Sequence, residues 1–92
     1  ADAGQAALAA ALLRLRPPHR RVVLLHEGVG LGLPETAAEV EASTLAAARR
    51  LVHARQDLTA HLPELSDEPQ QLGSRLRAFL AAGEVPGRPT PP

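Results

Sequence analysis

Ninety-two residues with ten basic side chains, all arginine, against ten acids give zero formal charge. That excludes a nucleic-acid binder held by bulk positive charge, although a local basic face remains open. The absence of cysteine removes disulfides and thiolate metal sites. An apolar share of 45%, mostly Ala, Leu and Val with Phe79 as the single aromatic, argues against wholesale disorder and points to one all-α domain.

The first predicted helix runs from Gly4 to Leu15, with Leu8, Leu12 and Leu15 on one face. Arg16-Pro17-Pro18 ends it, because a residue before proline is steered out of the α region. The Ala-rich opening is not read as a secretory signal, since it follows Asp2 and has no basic start. The chain opens on Ala1 and is read as a trimmed or excised part of a longer protein. A second helix is predicted from Pro18 to Glu27, with Val22, Val23, Leu25 and Val29 as its apolar side and Gly28, Gly30 and Gly32 breaking it. A short third helix spans Pro34 to Val40, with Glu35 favourable at its positive end.

Ser43 is an N-cap for a longer helix from Thr44 to Leu62. Its apolar face carries Leu51, Leu58 and Leu62, with Leu45 and Ala48 leading in, and Pro63 closes it. The last helix spans Pro69 to Ala82, capped by Ser66 or Asp67 and followed by Gly83. Its stripe of Leu72, Leu76, Phe79 and Leu80 must be buried somewhere. Residues 84–92, rich in proline, are expected to be disordered. No internal repeat and no apolar run of about 18 residues is present, so no membrane span is expected.

The middle of the chain resembles region 4 of bacterial sigma factors of the extracytoplasmic-function group. Leu15-Arg16-Pro17-Pro18-His19-Arg20-Arg21-Val22-Val23-Leu24-Leu25 is similar to the opening LPPRQREVLLL of that region. Gly30 to Val40 is similar to the following GLSYEEIAEIL, and Ser43 to Arg55 to SEGTVKSRLHRAR, with Arg50-Leu51 and Ala54-Arg55 matching directly. The three stretches fall in register without a gap from Leu15 to Leu58. The resemblance implies a four- to five-helix bundle containing a helix-turn-helix, winged-helix-like and without a sheet. Residues 1–62 would form that unit, with 63–83 adding a helix packed on it. It implies a transcription role at promoter −35 DNA, RNA polymerase, or an anti-sigma-type protein, in the cytoplasm of a bacterium, and the uniform arginine with abundant alanine and proline points to a GC-rich genome.

The departures fall on the reading residues. The turn usually holds glycine, and here it is Val40-Glu41-Ala42-Ser43. At the positions that read bases, the resemblance places Thr44, Leu45 and Ala48, which offer little to base edges. Backbone contacts are better represented. Arg20, Arg21, Arg49, Arg50, His53 and Arg55, with the Ser43 and Thr44 hydroxyls, are the candidate DNA-binding set. The same arginines equally read as solvated side chains pairing with Glu35, Glu39, Glu41 or Asp57.

An alternative reading keeps the fold and drops promoter recognition. Leu45, Ala48, Leu72, Leu76, Phe79 and Leu80 are then a candidate interface for a protein partner or a second copy. For the last four, packing on the same domain is the competing account. Catalysis has no support. His19, His26, His53 and His61 are scattered, Ser43, Ser66 and Ser74 lack a nucleophile context, and Gly28 to Leu33 lacks the Lys-Ser/Thr end of a phosphate loop. No cofactor, metal or small-molecule substrate is expected.

Overall fold

The computed structural model describes residues 3–68 and 70–84. Six helices follow one another, and no strand occurs among the described residues: α1 (Ala3–Arg14), α2 (Pro17–Val23), α3 (Leu33–Glu39), α4 (Thr44–His61), α5 (Glu64–Asp67) and α6 (Gln71–Glu84). A π-helical segment, Leu24–Val29, continues α2 without a break. The all-α expectation holds, with one helix more than the predicted four to five. None of the described helices is long and apolar enough to cross a membrane.

Local chemistry explains most boundaries. Arg16 takes the extended conformation required before proline (φ −61°, ψ 143°), and the helix restarts at Pro17, one residue before the expected start. Ser43 caps α4, its Oγ accepting the Ala46 N–H at 3.1 Å. Pro63 follows the end of α4 as expected, but Ser66 and Asp67 do not cap the last helix. They belong to the four-residue α5. Gly83 lies inside α6 rather than beyond it. Glu84, expected to open the disordered tail, is the last residue of α6; Pro69 and the rest of that tail lie outside the described residues.

One core unites these helices. Leu8, Leu12 and Leu15, Val22 and Val23 of α2, Leu51, Ala54 and Leu58 of α4, and Leu72 and Leu76 of α6 form a single buried cluster with Leu62 and Leu65. The apolar face of α4 differs from the expected one. Its buried residues are Ala47, Leu51, Ala54 and Leu58, spaced four, three and four apart, and Leu45 is turned away from them. Thr36 of α3 is also fully buried, and its Oγ1 has no hydrogen-bond partner.

The segment after α2 departs furthest from expectation. Gly28 does not break the helix; the winding simply widens. The Gly30 N–H reaches back to Leu25 O at 3.1 Å, five residues rather than four, and the Leu31 N–H joins the same oxygen at 3.0 Å. Gly30, at φ 92°, then ends the segment in a conformation that side chains resist. The wider turn shifts the register, so Gly28 is buried and Val29, expected on the apolar side, is exposed. His26 Nδ1 donates to Leu31 O at 2.8 Å and pins the exit.

Candidate nucleic-acid interface

The connection from α3 to α4 is a helix C-terminal motif built around a residue other than glycine. The Ala42 N–H bonds Ala37 O at 3.0 Å and the Glu41 N–H bonds Ala38 O at 3.2 Å. This is the pairing of a Schellman ending, in which the left-handed residue is usually glycine. Glu41 fills that place at φ 57°. Satisfying two end carbonyls offsets the left-handed strain of about 1–2 kcal/mol. Glu41→Gly is therefore expected to raise stability by about 0.5–1 kcal/mol in urea denaturation, because glycine relieves the strain but adds freedom to the unfolded chain. An unchanged or lower midpoint would contradict the strained-turn account.

The candidate arginines divide among different surroundings. Arg21 of α2 donates from Nη2 to Glu39 O at 3.1 Å, covering an end carbonyl of α3. It also lines a hollow of about 300 Å³ with Pro17, Pro18, Val40 and Arg50, so arginines from α2 and α4 border the same surface depression. Arg55 lies elsewhere. Its Nε is 2.7 Å from Glu27 Oε2, and its Nη2 meets the same oxygen. Five residues along a helix turn it by roughly 140° from Arg50. Arg55 is thus a cross-link from α4 to the π segment, on a different side of α4 from Arg50. Its partner, Glu27, is none of the four acids expected. Among the described residues Arg20, Arg49 and Arg50 form no ion pair.

His53 of α4 is exposed, and its ring lies 5.4 Å from that of His19 on α2. Burial, the neighbouring His53, and then Arg16 hold the His19 imidazole below its ordinary value; Arg50 adds to this and Asp57 opposes it. His19 Nδ1 is buried with no partner. The unfolded chain therefore binds this proton more readily than the folded one. Stability is highest above the unfolded value of 6.5, falls as pH drops through it, and levels off below the depressed folded value. His19→Gln is expected to flatten that decline when denaturation midpoints at about pH 7.5 and 5.5 are compared. An equal decline in both proteins would place the effect on another group.

The remaining candidates separate by exposure. Ser43 is occupied as the α4 cap. Thr44 is exposed beside it. Leu45 is 61% exposed and Val52 49% exposed, with half-buried Ala48 between them on the same side of α4. Val52 was not singled out from the sequence, although its spacing of seven from Leu45 marks the face. Leu72 and Leu76 are buried inside this chain and are not partner surface. Phe79 packs on the same core, and Leu80 lies over Gly28. The four residues of that stripe thus serve intramolecular packing.

His61 Nδ1 donates to Asp57 O at 2.9 Å, and no group of three His, Asp or Glu side chains among the described residues is arranged to hold a metal. No protein-family model, curated protein or solved structure matches the chain.

Proposed function

We propose that this chain is a helix-turn-helix module of the sigma region 4 type, acting in bacterial transcription in the cytoplasm as a binding protein rather than an enzyme. The supporting observation is the α3–turn–α4 unit, with its left-handed Glu41 and capped Ser43, set beside a hollow bordered by Arg21 and Arg50. Two arginines on one depression suit a phosphate of the promoter backbone. The outer side of α4 offers Leu45, Ala48 and Val52 where base edges would be read, so affinity is expected to depend little on sequence.

The test is titration of −35-type duplexes against the full chain at several salt concentrations. Binding in the non-specific range, Kd of about 10⁻⁴–10⁻⁶ M, is expected at physiological salt. Arg50→Ala should lower the salt slope by about one and weaken all duplexes alike. No binding at low salt would remove the DNA role.

The exposed Leu45 and Val52 favour a second reading, in which α4 docks a protein such as a polymerase element or an anti-sigma-type partner.

A further inference from the structure

Within the protein-docking reading, on which this inference rests, we propose that the outer face of α4 takes an amphipathic helix with acidic flanks. Leu45, Ala48 and Val52 stand at spacings of three and four, the pattern of an apolar seam along a helix. The surface is concave there: Ala48, Arg49, Val52 and His53 line a hollow of about 460 Å³, room for an inserted aliphatic side chain.

Charge selects the occupant. From Thr44 to Gln56 the helix carries Arg49, Arg50, His53 and Arg55 and no acid. Arg55 is neutralised by Glu27, which leaves Arg49 and His53 beside the apolar seam and Arg50 behind them. A second copy laid on this face would bring Arg49 against its own counterpart, while Asp57, the one acid of α4, stands about 140° round the helix from Val52. A basic helix would be repelled in the same way. A helix presenting leucines at matching spacing between glutamates satisfies both features, the apolar pair filling the hollow and the carboxylates meeting Arg49 and His53.

The probe is a synthetic helical peptide of about 18 residues, long enough to cover the seam. It carries Leu at positions three and four apart with Glu on both flanks, and its counterpart carries Lys in place of Glu. Each is titrated against the full 92-residue chain by fluorescence anisotropy. Saturable binding of the Glu peptide is expected. It should weaken by about tenfold in Leu45→Ser and in Val52→Ser, the loss expected when an interface anchor is truncated, and by a similar factor for the Lys peptide. Both substituted residues are exposed, so circular dichroism should show an unchanged fold.

No binding of the Glu peptide, equal binding of the two peptides, or binding indifferent to both substitutions would overturn the proposal. Self-association of the chain that Leu45→Ser abolishes would also overturn the acidic-helix occupant, while retaining α4 as a protein-docking face. A chain that stays monomeric and binds neither peptide would remove the docking reading itself.

Discussion

Leu58→Ala is expected to lower stability by about 2–5 kcal/mol, the range for deleting a buried leucine and leaving a cavity. Leu58 is fully buried, and α4 is the helix that α1, α2, α3 and α5 all pack against. Leu58 belongs to the single core cluster shared by α1, α2, α4 and α6, whose packed side chains cannot collapse freely into the space. A chain of 92 residues is expected to hold only roughly 5–14 kcal/mol in all. The substitution would consume a large part of this and lower the melting temperature on the order of 15 °C. Leu45→Ala is the control: the same chemistry on the same helix, but on an exposed side chain, with an expected change within about 0.5 kcal/mol. The comparison tests the orientation of α4 as well as the size of the core. Urea denaturation of both variants decides it, and equal losses would mean that the helix is rotated about its axis.

That orientation marks the limit of what was legible. Helices α1, α3 and α4 stand within two residues of their expected bounds, because prolines, a serine cap and leucine spacing are local signals. The side assigned to Leu45 was wrong for a physical reason. In an Ala-rich helix, small residues can face the core, and Ala47 and Ala54 of α4 both sit at zero exposure beside Leu51 and Leu58. Leucine spacing alone does not report where alanines allow a neighbouring backbone to approach. The arginines carry a similar ambiguity. Nothing in the spacing of Arg55 shows that Glu27, 28 residues earlier, lies opposite it. That contact is made from within the widened segment that the glycines were expected to break. Both the unexpected partner of Arg55 and the widened helix thus lie in the same segment, Leu24–Val29.

Gly28→Val is expected to destabilise the protein by about 2–3 kcal/mol, the upper part of the range for overpacking a filled contact. A Cβ on Gly28 would stand 2.8 Å from Leu80 Cδ1 and 3.6 Å from Leu76 Cβ. The first neighbour is the end of a flexible side chain and can rotate away. The second is fixed to the backbone of α6 and cannot. Gly28→Ala should therefore be mild, since moving Leu80 is offset by the gain of up to about 1 kcal/mol from replacing a helical glycine. Valine differs because its two γ-methyls are stiff about χ1 and one must point toward α6. Relief comes only if the last helix moves outward. The same helix also meets the π segment at Gly73, where a Cβ would stand in ordinary contact, 3.5 Å from Glu27 O. Displacing α6 would also uncover the wide turn it covers, and with it the Glu27 carboxylate that holds Arg55. Amide exchange should accordingly show protection lost first in Gln71–Glu84 and Leu24–Val29, with α3 and α4 retaining theirs. A valine variant as stable as the alanine one, or protection lost evenly along the chain, would show that the helix is not held by that close approach.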